Sequence, residues 1–264
     1  MLQCCPNGAR PAGAYPAVPM SPRHLARDAR AVSALGVLSV HVHPRDRDGR
    51  ESLDPRTIGA VTSAIREAAP GTEIGVTTAR WVEPDPARRT EIIETWGRLP
   101  AHARPDVASV NVHERGWQRV CAALEAVGIG VELGVWTSGD AVQLKQAGLP
   151  QGTIRVLAEV TVTEPEIAVT EAKRILTALG PVPAPILLHG EDAGAWPVLE
   201  YAQRLNLDTR IGFEDTLEGP DRTRRATSNE ELVHSALRKS VTRPPAQRSA
   251  TRSARSRRGA EHRR

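Results

Sequence analysis

The stretch VLSVHVHPRDRDGRESLDPRTIGAVTSAIREAAPGTEIGVT, residues 37–77, contains a whole strand–helix–strand unit. It opens on an apolar run, Val37–His43, of the length and Val-rich composition that parallel strands adopt when both faces are covered. Asp54-Pro55 then pairs a helix-capping side chain with a proline suited to the first helical position. An amphipathic stretch follows, and a second apolar run closes the unit at Glu73–Thr77.

The same unit recurs outward in both directions. Apolar runs lie at Leu2–Pro6, Val107–Val112, Gly130–Trp136, Ile154–Val160, Pro185–His189 and Arg210–Glu214. Ser21-Pro22 and Asp85-Pro86 repeat the helix-start signature, and Thr163…Glu166 and Ser228…Glu231 fit the capping box. Gly36, Gly128, Gly148 and Gly180 stand where helices should stop. Eight strands alternating with eight helices is the count of a (β/α)8 TIM barrel. A doubly wound open sheet would show fewer units and a glycine-rich first turn, and NGAR at 7–10 is not GxGxxG.

Composition agrees with a sheet covered by helices. Of 264 residues 40% are hydrophobic, yet only one Phe, two Tyr and five Trp occur, so Ala, Val, Ile and Leu must build the core. Three cysteines, two of them adjacent (Cys4, Cys5), make no disulfide framework, and Cys121 falls on an amphipathic stretch as a core residue. MLQCCPNGAR lacks the basic-then-apolar pattern of a signal peptide, and no segment has the ~20 apolar residues of a membrane span. These features predict a cytoplasmic protein. The net charge of +4 is uneven. From Ser240 onward eight arginines face the single acid Glu261, a charge of +7, leaving 27 basic against 30 acidic residues in the remainder, or −3. The expected organisation is one catalytic barrel, 1–239, and a disordered Arg-rich tail, 240–264, either a tether to nucleic acid or a solvated extension.

Barrel enzymes place their chemistry at the C-terminal ends of the strands. His41 and His43, two apart on one strand, face the same way and suit a Zn²⁺ site, or else form a pair hydrogen-bonded to backbone and Asp46. A catalytic zinc takes a third protein ligand, and Glu214 closes the strand that neighbours the first. Arg210 shares the inward face with Glu214. It either anchors a substrate carboxylate or carbonyl oxygen or pairs with Glu132 or Glu159. Asp215 has the chemistry of a general base. Asn7, Thr77, Thr78, Asn111, Glu132 and Glu159 also end strands, with Glu132 expected to serve function. His189 and His113 are expected in packing and at a helix start, and Trp96, Trp117, Trp136 and Trp196 in packing.

HVHPRDRDGRESLDP (41–55) resembles the HxHxRDxDG segment of the β-keto acid cleavage enzymes, whose founding member is the 3-keto-5-aminohexanoate cleavage enzyme of lysine fermentation. NGARP, SVNVHERG, GVELGVWTSGD, PILLHG, DTRIGFEDTLEGPD and SNEELV extend the resemblance over Leu2 to Arg238. It implies a zinc-dependent barrel, commonly a homotetramer, that condenses a β-keto acid with acetyl-CoA to acetoacetate and a new acyl-CoA. His41, His43 and Glu214 would hold zinc, and Asp215 with Arg210 would remove the proton. Thr77, Glu132, Asn7 and Arg10 would meet the substrate. Arg10 stands where the founding enzyme has an acid that holds an amino group, which implies a neutral or anionic substrate side chain. Two rivals predict differently. An amidohydrolase-type hydrolase would need further histidines on strands 5 and 6, where this chain has Glu132 and Glu159. A nucleic-acid-binding protein would depend on the tail alone.

Overall fold

The computed structural model describes residues 1–241; the expected tail therefore lies, apart from its first two residues, outside the described residues. Eight parallel strands form the sheet: β1 Leu2–Cys4, β2 Ser39–Val42, β3 Glu73–Thr77, β4 Val107–Asn111, β5 Gly130–Val135, β6 Thr153–Val160, β7 Ile186–Gly190 and β8 Thr209–Ile211. Their order is β7-β6-β5-β4-β3-β2-β1-β8. The last seam is closed by a parallel bridge from Leu187 to Asp208, with Leu188 N–H donating to the Asp208 carbonyl at 2.9 Å. This is the (β/α)8 barrel the sequence predicts.

Eight helices surround it among the described residues: α1 Pro22–Ala34, α2 Pro55–Ala68, α3 Pro86–Trp96, α4 Trp117–Ala126, α5 Ser138–Ala147, α6 Pro165–Leu179, α7 Ala195–Leu205 and α8 Asn229–Val241. Ser21, Asp54 and Asp85 each cap the helix that opens at the following proline, accepting from the backbone N–H of His24, Arg56 and Ala87. Gly36 and Gly128 follow helix ends at positive φ, and Gly148 and Gly180 cap them.

Two expected capping boxes are corrected. α6 opens at Pro165, so Glu164 and not Thr163 stands at the cap, and it makes no side-chain bond there. Ser228 does accept from Glu231 N–H, but the Glu231 carboxylate turns back one residue too far, to Thr227. A complete box occurs instead at Thr137 and Asp140. β8 is also shorter than expected, since Asp215 and Thr216 donate to the Gly212 carbonyl and turn the chain. Glu214 therefore reaches the site from a turn. His113 precedes α4 by a turn and meets Trp136 edge-to-face, with ring centroids 4.5 Å apart.

Val40 and Val42 on β2, with Ile74 and Val76 on β3, are fully buried beneath the helices. The inner face carries charge as well. Arg155 holds Glu73 at 2.6 Å and Glu132 at 3.1 Å, and Gln3 donates to both Ser39 and Glu132. This paired layer fills the barrel below the site and offsets the cost of burying each charge alone.

Candidate metal centre and cavity

Alternation along β2 sends His41 and His43 inward, with ring centroids 5.4 Å apart, while their valine neighbours face the helices. One ligand atom from each of His41, His43 and Glu214 lies within 4.8 Å of the others. His43 Nε2 is 3.7 Å from Glu214 Oε1. Asn7 fixes the end of β2, its amide donating to the His43 carbonyl at 2.8 Å and accepting from the His43 N–H at 2.9 Å. Arg45 ties the same region to the loop after β1 through the Gly8 and Arg10 carbonyls.

The triad fits a divalent ion on its own chemistry. Glu214 Oε2 is buried without a hydrogen-bond partner among the described residues. Burial opposes ionisation of Glu214, yet Arg210 and His43 hold its carboxyl well below the usual range, so it is an anion ready to coordinate. Burial works to lower His43, but Glu214 and Glu51 outweigh it and raise the imidazole to about 9. Two imidazoles and a carboxylate in one buried pocket are a donor set for Zn²⁺, and also for Fe, Co or Mn.

The triad borders a cavity of about 280 Å³ at the C-terminal mouth of the barrel. Arg10 and Pro11 line it from the β1 loop, Thr77 and Trp81 from β3 and its loop, Ser109 and Asn111 from β4, and Trp136 beyond β5. Leu157, Glu159, Glu191, Asp192 and Arg210 complete the wall. Arg210 donates to Glu214 Oε1 and Asp215 Oδ1, both at 2.9 Å, so its partners are its own loop and neither Glu132 nor Glu159.

Not every expected residue meets the cavity. Asp215 is fully buried behind Arg210 and does not line it. Glu132 is the third residue of β5, fully buried, with Oε2 3.7 Å from His41 Nδ1; burial opposes its ionisation, which His41 and Arg155 restore. Asn7 serves the His43 backbone. Arg10 does line the cavity, but its guanidinium is bound by Asp192 at 2.7 Å and by the Phe213 and Glu214 carbonyls. The bare cation expected from the sequence is thus balanced. Thr78 donates to the Ser109 carbonyl and finishes a strand end.

Several site residues take roles that the sequence does not assign them. His189 is fully buried between Glu159 and Asp215, each 3.5 Å away. Burial and Arg210 act to lower it, but the two carboxylates outweigh them and raise it. Glu191 lines the cavity with no side-chain partner among the described residues, and burial with the nearby Glu159 raises its carboxyl to about 7. Trp136, expected in packing, is a cavity wall; Trp96, Trp117 and Trp196 are buried as expected.

Comparison with known proteins places the chain. No curated protein matches it. Among solved structures it is similar to ObcA in a binary complex with oxaloacetate (TM-score 0.64, 17% identity) and in a ternary complex with a C4-CoA adduct and oxalate (TM-score 0.63, 17% identity). Each alignment covers 86% of this chain, which spans 64% of the length of either ObcA chain. The 3-dehydroquinate dehydratase of Geobacillus kaustophilus is similar at TM-score 0.60 and 12% identity, over 91% of this chain and 90% of that one. At these identities the likeness is one of fold. The model of the beta-keto acid cleavage enzymes, however, matches residues 1–255, and the chain belongs to that family.

Proposed function

We propose that this protein is a zinc-dependent β-keto acid cleavage enzyme that condenses a β-keto acid with acetyl-CoA, giving acetoacetate and a new acyl-CoA. The observation that carries the reading is the buried His41, His43 and Glu214 triad bordering the cavity of a chain in this family. An ion bound there would act as a Lewis acid toward the keto acid's oxygens.

The protein's own groups supply the rest. The C2 proton passes to a carboxylate, and the carbanion attacks the acetyl carbonyl, forming a new carbon–carbon bond as the CoA thiolate leaves. That thiolate attacks the original keto carbon, the old C2–C3 bond breaks with its electron pair on C2, and the carboxyl group returns its proton to that carbon, giving acetoacetate and the acyl-CoA. Asp215, hydrogen-bonded to Arg210, is the proposed proton acceptor, and Arg210 faces the developing negative charge from the cavity wall. Glu159 is a second candidate, favoured by its place on the cavity surface. Thr77, Asn7, Arg10 and Glu132 complete the proposed substrate and support set. A cytoplasmic homotetramer belongs to the same reading.

The test is acetoacetate formation from acetyl-CoA and a panel of β-keto acids. With Arg10 balanced by Asp192, the panel includes side chains that are neutral, anionic and ammonium-bearing. Turnover with about one zinc per chain, abolished in His41→Ala and Asp215→Ala but retained in Glu159→Gln, is expected. Metal bound without acetoacetate from any keto acid would move the chemistry to another metal-assisted reaction.

A further inference from the structure

The ligand His43 has a second partner, outside the triad. Its Nδ1 lies 2.5 Å from Glu51 Oε1, while its Nε2 faces Glu214. The other oxygen of Glu51 is also engaged, accepting from the Trp81 indole N–H at 3.1 Å. Trp81 stacks along His43 with ring planes 22° apart and stands 47% exposed on the cavity wall. Glu51 itself is pinned by the antiparallel bridge Arg45↔Glu51 and by Ser52 N–H donating to the Pro44 carbonyl. The turn of RDRDGRE thus carries a carboxylate back onto the histidine eight residues earlier.

We infer that Glu51 is the positioning residue for the metal ligand His43, and that Trp81 holds Glu51 in place from the cavity mouth. The assignment rests on the proposed metal reading of the triad. A carboxylate accepting from Nδ1–H fixes the ring orientation and leaves Nε2, once its own proton is given up, as the atom that would hold an ion beside Glu214. The corresponding contact at His41 is looser, 3.7 Å to Glu132, so Glu51 is the stronger of the two supports. Trp81 makes the support sensitive to the cavity, since whatever displaces the indole also releases one oxygen of Glu51.

The experiment is zinc affinity of the full-length, metal-stripped chain, measured by competition with a chromogenic chelator. Glu51→Gln should weaken zinc by roughly 10- to 100-fold, the range typical for losing such a partner. Trp81→Phe, which keeps an aromatic ring and deletes the indole N–H, should weaken it by a smaller factor; Glu51→Asp should fall between wild type and Glu51→Gln. Melting of the metal-free variants controls for folding, and Trp81→Phe alters an exposed side chain whose loss the fold tolerates. Wild-type affinity in a folded Glu51→Gln protein overturns this assignment alone. Failure of the wild-type chain to bind zinc overturns the metal reading, and the assignment with it.

Discussion

Replacing Gly8 by alanine separates the metal site from the stability of the fold. Gly8 sits at φ +53°, a left-handed conformation that costs an alanine about 1–2 kcal/mol. A methyl there would also lie 2.8 Å from Glu214 Cβ and closer still to Cγ, whereas real Cβ contacts are not found below 3.0 Å. Glu214 must yield, and it cannot do so by a simple rotation, because its Cβ is among the atoms struck and its Cα lies at 3.1 Å. Metal ligands tolerate displacements of only ~0.2 Å, so a shift of several tenths of an ångström should cost at least about tenfold in zinc affinity, or ~1.4 kcal/mol. Gly36→Ala is the matched control: its φ is +84°, but a methyl there meets nothing within 4 Å. Gly36→Ala should lose about 1–2 kcal/mol in chemical denaturation of the metal-free protein, and Gly8→Ala at least as much, its clash adding to the same backbone cost. Only Gly8→Ala should also lose zinc in the chelator competition. Equal zinc affinity in the two variants would show that the close approach of Gly8 to Glu214 does not position the ligand.

Two further outcomes follow from buried charge. Glu191 keeps its proton to about pH 7 when folded but ionises near 4.5 when unfolded, so the folded state binds more protons between those values and stability falls as pH rises through that window. Glu191→Gln should remove that slope and gain on the order of 1–3 kcal/mol over wild type at pH 8, with little difference at pH 4; parallel pH profiles of denaturant midpoints would contradict it. Glu114 pairs with Arg89, both side chains 1% exposed, and accepts from Asn111 and Arg80 N–H besides. Glu114→Ala should therefore cost about 3–5 kcal/mol by leaving a buried guanidinium uncompensated, a loss under 1 kcal/mol in urea unfolding being the contrary result.

What could be seen in the sequence, and what could not, divides along one physical line. Strand content followed from apolar runs, and the inward direction of His41 and His43 followed from strand alternation, because both are local rules. Depth along the barrel is not local. Glu132 and Glu159 both look like strand-end acids, yet the stagger between strands sets Glu132 in the buried ionic layer beneath His41 and leaves Glu159 on the cavity wall. Asp215 follows Glu214 directly, but the turn at Gly212 buries one behind Arg210 and presents the other to the histidines. Residues whose role depends on a loop folding back follow from no local rule, even where, like Glu51 and Trp136, they fall inside stretches that carry the family resemblance. Glu51 reads as one more charge in a polar turn, and Trp81 and Trp136 as ordinary aromatics. Arg10 is the instructive case, since its charge is legible in the motif and its partner is not. The charge a side chain contributes to a cavity is that of its whole hydrogen-bonded group. Asp192, 182 residues away in the chain and 2.7 Å away in space, supplies the other half.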